Sequence, residues 1–190
     1  GYAALISNTT GYNNTASGSY ALYSNTTGSQ NTALGKLALA FNTEGSLNTA
    51  VGNRALYFNT SGNYNAAFGL QALYNNTTGE RNAAFGLQAL YSNTSGDYNT
   101  AIGNRALYSN TTGSKNNAIG NSAGSNLSSG DSNTFIGASS CTNVTSANHF
   151  FCLGTSASSI FAANASTGHM ILGNGLGQIT IDGDLYVTGN

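Results

Sequence analysis

The stretch that decides the fold is Gly96-Asp97-Tyr98-Asn99-Thr100-Ala101-Ile102-Gly103-Asn104-Arg105-Ala106-Leu107-Tyr108-Ser109-Asn110-Thr111-Thr112, because Gly113 begins the same string again. Gly11, Gly28, Gly45, Gly62, Gly79, Gly96, Gly113 and Gly130 stand 17 residues apart, and a second glycine follows each seven positions later, from Gly18 to Gly137. Between them runs an asparagine ladder through Asn14, Asn31, Asn48, Asn65, Asn82, Asn99, Asn116 and Asn133. A fixed short period is the signature of a repeat architecture. This one is too short for paired-helix repeats, and two glycines per unit would each weaken a helix by about 1 kcal/mol. The short pieces between glycines, such as Thr100-Ala101-Ile102 and Ala106-Leu107-Tyr108, read as β-strands, with the glycines turning the chain at φ > 0. The sequence therefore predicts an all-β protein, a parallel β-solenoid or β-roll of about eight 17-residue coils. At the usual strand spacing such a stack is about 38 Å long.

Stacked coils place equivalent residues on top of one another, so each repeat position becomes a column. Leu5, Leu22, Leu39, Leu56, Leu73, Leu90 and Leu107 form the expected core filler, and Ala16, Ala33, Ala50, Ala67, Ala84, Ala101 and Ala118 suit a narrow interior. Beside each of these alanines stands a larger apolar residue: Leu34, Val51, Phe68, Phe85, Ile102, Ile119 and Ile136. Neighbours on a strand face opposite sides, so one coil cannot bury both. The outward column is read as a subunit interface, which closed symmetry about an axis parallel to the rod would bury along its length. The competing reading makes this column the core and the alanines a small-residue outer surface.

Composition removes several classes of function. Charged residues make up only 6% of the chain, but it is 39% hydrophobic with 11 Tyr and 8 Phe, so it should fold rather than remain disordered. The cations are Lys36, Arg54, Arg81, Arg105 and Lys115, and the net charge is −1, which leaves no electrostatic footprint for nucleic acid or an anionic membrane. No apolar run is long enough to insert into a membrane. The chain opens in mid-pattern at Gly1, so a longer natural chain, with any export signal outside this stretch, is expected.

The string Asn99-Thr100-Ala101-Ile102-Gly103, followed by Ala106-Leu107, resembles the N-x-A-I-G-x-x-A repeat of trimeric autotransporter adhesin heads, which are parallel β-rolls of three chains. The form with Asn-Thr-Thr-Gly looks still more like repeats of phage tail-fibre proteins and related bacterial surface proteins, many of which end in an endosialidase-type intramolecular chaperone. The likeness covers about residues 1–137. It implies a homotrimer, an extracellular location on a virion or cell surface, and a fibrous, adhesive role with a cell-surface glycan or protein as receptor.

Past Gly137 the repeat is lost, and Ala123-Gly124-Ser125 already departs from Ala-Leu-Tyr. Residues 1–137 are therefore read as the repeat domain and 138–190 as a C-terminal β cap and a transition to further fibre domains, since terminal repeats must close an open core. Phe150, Phe151, Ile160 and Phe161 are expected to cover the last coil. Ile171-Leu172-Gly173 and the segment from Gln178 to Val187 alternate as short strands, and the closing Gly183-Asp184-Leu185-Tyr186-Val187-Thr188-Gly189-Asn190 looks like a tail-fibre hinge. Cys141 and Cys152, eleven residues apart, are read as a disulfide closing a small loop, with two buried free thiols as the alternative.

Chemistry is sparse. His149 and His169 are the only imidazoles, and a Cys/His nucleophile pair finds no supporting motif, so surface or cap histidines are expected. Gly173-x-Gly175-x-Gly177 lacks the lysine and helix of a phosphate loop. Glu80, Asp97 and Asp131 recur too rarely for calcium between coils, and Asp182 with Asp184 reads as a solvated turn, with a single bound ion as the alternative. No cofactor and no enzymatic activity are expected. Asn8, Asn25, Asn59, Asn76, Asn93 and Asn110 open Asn-Thr-Thr or Asn-Thr-Ser triplets, which read as an Asn/Thr ladder or as glycosylation acceptors. Tyr23, Tyr57, Tyr74, Tyr91 and Tyr108 follow the core leucines as an outward strip that packs on itself and a neighbouring subunit, or meets sugar or protein. Three functions follow: a structural and adhesive shaft, a self-assembling surface filament, and an ice-binding solenoid suggested by Thr26-Thr27, Thr77-Thr78 and Thr111-Thr112 but spoiled by Glu44, Ser61 and Ser95.

Overall fold

The computed structural model describes residues 1–155 and the backbone of two further strands, Ser158–Asn164 and His169–Leu172. The Gly173–Gly177 turn, the Gln178–Val187 segment, Asp182, Asp184 and the closing hinge lie outside the described residues, as do the side chains of Ile160, Phe161 and His169.

The chain is a parallel β-solenoid. Eight three-residue strands recur at the repeat period: β1 Thr15–Ser17, β2 Thr32–Leu34, β3 Thr49–Val51, β4 Ala66–Phe68, β5 Ala83–Phe85, β6 Thr100–Ile102, β7 Asn117–Ile119 and β8 Thr134–Ile136. Each pairs in parallel with the next and in strict register, as in Ala33 with Ala50 and Ala50 with Ala67. With strands this short, most of the inter-coil bonding lies in the turns. The N–H groups of Gly52 and Arg54 donate back to the carbonyls of Leu34 and Lys36, whereas those of Leu56 and Phe58 donate forward to Ala72 and Tyr74. At the Asn-Thr-x-Gly corner three successive N–H groups converge on one carbonyl: Thr43, Glu44 and Gly45 reach the Thr60 oxygen at 3.0, 3.0 and 3.2 Å. The Thr43 hydroxyl adds a fourth donor at 3.1 Å. The corners thus satisfy their backbone by bonding coil to coil.

Ala106-Leu107-Tyr108 does not form the strand the sequence suggested. The core leucines of this column sit in the left-handed region, from Leu22 at φ 50 to Leu107 at φ 50, and the residue two before each, such as Leu37 or Arg54, does so as well. A non-glycine residue there costs about 1–2 kcal/mol. The offset is burial, because Leu22, Leu39, Leu56, Leu73, Leu90 and Leu107 are fully enclosed, each worth about 1.5–3 kcal/mol. The alanine column from Ala33 to Ala118 and a second one, Ala38, Ala55, Ala72, Ala89, Ala106 and Ala123, complete a core barely two side chains deep. The reading that put these alanines on the surface is therefore wrong.

The two glycine columns differ in their reason. Gly35 and its equivalents have φ near +140. Gly62 and its equivalents from Gly11 to Gly113 do not, Gly130 alone of that column having a positive φ; they are glycine because a Cβ on Gly62 would meet Asn59 Oδ1 and the Gly79 carbonyl, both at 2.5 Å.

The register also outlasts the visible repeat. β9, Phe150–Thr155, pairs in parallel with β8 at the same offset, Phe135 opposite Cys152, so the solenoid continues one coil past Gly137. Its disguise is an exchange between columns. Phe135 takes an alanine position while Gly124 takes a leucine position, and the phenyl ring occupies the space above Gly124. One coil further on, Cys141 and Cys152 stand in those two columns and are joined by a disulfide across the coil interior. Phe150 packs on Phe135 with ring centroids 6.1 Å apart, but Phe151 is 36% exposed because it occupies an outward position. The chain then reverses, β10 (Ser158–Asn164) and β11 (His169–Leu172) adding antiparallel strands to the same sheet.

Gly62→Ala tests this stacking. In an unconstrained turn the change would stabilise by about 0.4–1 kcal/mol, whereas here the forced overlap with the next coil is expected to cost about 1–3 kcal/mol, read as a lower urea midpoint.

Candidate functional site

In a solenoid the functional surface is a set of columns, and the structure divides them into inner and outer. The outer face of the sheet carries the predicted interface column. Leu34, Phe68, Phe85, Ile102 and Ile119 are each 37–46% exposed, and Val51 and Ile136 are half-buried. Phe68 and Phe85 stack with centroids 5.0 Å apart and planes 7° from parallel. The result is a continuous apolar line along the rod, most of it left exposed by the described residues of this single chain.

The tyrosines form a second line on the segment after the sheet. Tyr57, Tyr74, Tyr91 and Tyr108 stack at 5.1 Å with interplanar angles of 6°, 1° and 7°, and Tyr23 is 39% exposed at one end. The centroid spacing is close to the strand spacing of a sheet, so coil stacking alone brings the rings into contact. Arg54 and Arg105 lie over Tyr57 and Tyr108 at 5.9 and 5.4 Å. On another column Arg81 is held between Tyr64 and Tyr98, at 5.1 and 5.2 Å.

Between the residues that follow the tyrosines and the threonine column lies a groove of about 730 Å³ running along the rod, lined by Phe41, Phe58, Asn75, Thr60, Thr77 and Thr94 among others. Each of these threonines donates its hydroxyl proton to the next coil's carbonyl, Thr77 to Thr94 and Thr94 to Thr111 at 3.0 Å. The first threonine of each pair thus commits its hydroxyl donor within the rod, and the second, Thr27, Thr78 or Thr112, is exposed.

The asparagines of the triplets face inward. Asn25, Asn59, Asn76, Asn93 and Asn110 are fully buried, and only Asn8 is half-buried. Each amide donates to the carboxamide oxygen of the coil before, Asn25 to Asn8 at 2.7 Å and Asn76 to Asn59 at 2.9 Å, and also to the glycine of its own corner. These side chains are a polar spine, and in the folded rod a glycosylating enzyme has no route to the five buried ones. The spine ends where Leu127 replaces asparagine, leaving the Asn110 oxygen without a partner. A parallel ladder runs through the asparagines two residues before the inward alanines, where Asn65 N–H donates to Asn48 Oδ1 and Asn82 N–H to Asn65 Oδ1, both at 3.0 Å. The sequence suggested both ladders, reading the triplets as an Asn/Thr ladder or as glycosylation acceptors, and burial favours the ladder.

Among the described residues no cluster of three or more His, Cys, Asp or Glu gathers to hold a metal. Glu80 and Asp131 are spread along one column, where Asp97 and Asp131 accept backbone N–H groups of the coil before at 2.7 and 2.8 Å. His149 continues a surface column and donates its N–H to the Asp131 carbonyl. With Cys141 bonded to Cys152, the Cys/His pair has no thiolate to use.

Burial first, then the neighbouring Tyr74 and Tyr108, pushes Tyr91 above the ordinary tyrosine range, against a smaller opposing pull from Arg54. A group raised in the folded state stabilises it fully below the unfolded tyrosine value and loses that contribution as pH rises through the folded one. Ultraviolet titration should therefore show one tyrosine ionising later than a free phenol, and Tyr91→Phe should remove that late step. No family model matches the chain, and no curated protein or solved structure matches it significantly.

Proposed function

We propose that this chain is a structural and adhesive shaft of an extracellular fibre, a non-enzymatic rod that assembles with copies of itself as a homotrimer and presents a receptor-binding surface. The observation that carries the reading is the unbroken apolar line Leu34, Val51, Phe68, Phe85, Ile102, Ile119 and Ile136 on the outer face of the sheet. An exposed apolar strip of this length on a water-facing rod marks an interaction surface. Its straightness suits a second and third copy lying alongside, related by an axis parallel to the rod. The Cys141–Cys152 disulfide is consistent with an oxidising, extracellular compartment. The last parallel coil, with its disulfide and the antiparallel strands beyond, serves as the closing end of the stack. In this arrangement the tyrosine line and the 730 Å³ groove stay free for a glycan or protein receptor.

Ile102→Asp places a charge at the middle of the proposed interface and touches neither core column. Chemical cross-linking is expected to trap a three-chain species in the unaltered protein and to lose at least about tenfold of it in the variant, since burying an unpaired carboxylate costs several kcal/mol. A variant that still cross-links as a trimer would place the interface elsewhere.

A further inference from the structure

The tyrosine line has one missing rung. Tyr23, Tyr57, Tyr74, Tyr91 and Tyr108 occupy the same repeat position, and in the coil between Tyr23 and Tyr57 that position is Ala40. Phe41, the next residue, does not fill the gap. Its ring stacks on Phe58 in the adjoining column, at 5.5 Å and 21°, and turns only an edge to Tyr57, at 5.0 Å and 83°. What remains is a pocket of about 340 Å³ lined by Tyr20, Tyr23, Lys36, Leu37, Ala40, Phe41 and Tyr57. Ala40 is its buried floor, and Tyr23 and Tyr57 stand on either side of it, two strand spacings or about 10 Å apart.

We infer that this pocket is a binding site for one flat aryl ring bearing an anionic group, a small aryl carboxylic acid. The ring requirement is read from the ladder itself. From Tyr57 to Tyr108 successive rings stack at 5.1 Å, so a ring entering above Ala40 beside the open face of Tyr57 gains the stacking the column provides elsewhere. The charge requirement is read from the rim. Lys36 is exposed and lines the pocket, and no acidic side chain is among the lining residues. One cation, Lys36, thus stands at the rim of a slot whose walls are aromatic and aliphatic. The site lies on the segment after the sheet and does not depend on the proposed subunit interface.

The probes are 4-hydroxyphenylacetate and its uncharged counterpart p-cresol, titrated into the intact chain and followed in methyl-resolved NMR spectra. Both are expected to shift the Ala40 and Leu37 methyls and to leave Leu87, an exposed leucine on another coil, unmoved. Ala40→Tyr restores the missing rung, so it should keep the fold and weaken both probes by at least about tenfold. Lys36→Gln should weaken the acid by about two- to fivefold, the range of an exposed ion pair, and leave p-cresol unchanged. The inference fails if neither probe shifts Ala40, if Leu87 moves equally, or if Ala40→Tyr binds as the unaltered chain does. Equal loss of both probes in Lys36→Gln would contradict the assignment of an acidic ligand. Because the methyl shifts are read in the unaltered protein, the test holds even if a variant fails to fold.

Discussion

Every feature of this rod depends on one constraint: each coil must bond, residue for residue, to the coil exactly one repeat away. The strands are only three residues long, so the sheet ladder alone is a small part of that bonding. The remainder comes from corners such as the Thr60 carbonyl, which receives three backbone N–H groups and a hydroxyl from the preceding coil. It also comes from the two asparagine ladders, whose side chains replace the bonds that a longer strand would make. In-register stacking of identical side chains brings amide onto amide and ring onto ring, the same economy seen in cross-β structures. It also makes the repeat intolerant. A Cβ on Gly62 would strike the next coil, and the left-handed leucines are held in place by their enclosure and by N–H bonds to the next coil such as Leu56 to Ala72.

The period, the strand Thr100–Ile102, the core leucines and the direction of the Ile102 column were legible because stacking turns a sequence period into a spatial column. What was hidden has physical reasons. Leu107 carries no local sign of a positive φ, since isolated leucine disfavours it and only tertiary burial imposes it. The buried asparagine spine was concealed by composition, as asparagine is usually exposed, and its interior role appears only when Asn76 is seen bonded to Asn59. The last coil escaped notice because volume was conserved across columns rather than within them: Phe135 fills the space that Gly124 vacates, and Cys141 and Cys152 cross the same interior.

The same repetition explains why function in such a rod belongs to lines and to breaks in lines. A side chain repeated outward in every coil becomes a surface of constant chemistry, as with the apolar line and the tyrosines. A departure from the repeat makes a singular feature, as Ala40 does among the tyrosines and Leu127 does at the end of the asparagines. Stability in a stacked array is nearly a sum of neighbour terms, so such departures can be carried by individual coils without loss of the whole.

The central functional claim is that the apolar line along the sheet is covered by other copies of the chain, and the most direct measurement is the native mass in solution by light scattering. The account predicts a discrete particle of three chains, each of 19.3 kDa. A stable monomer would contradict it, and would mean that the rod exposes its apolar line to water with no partner of its own kind.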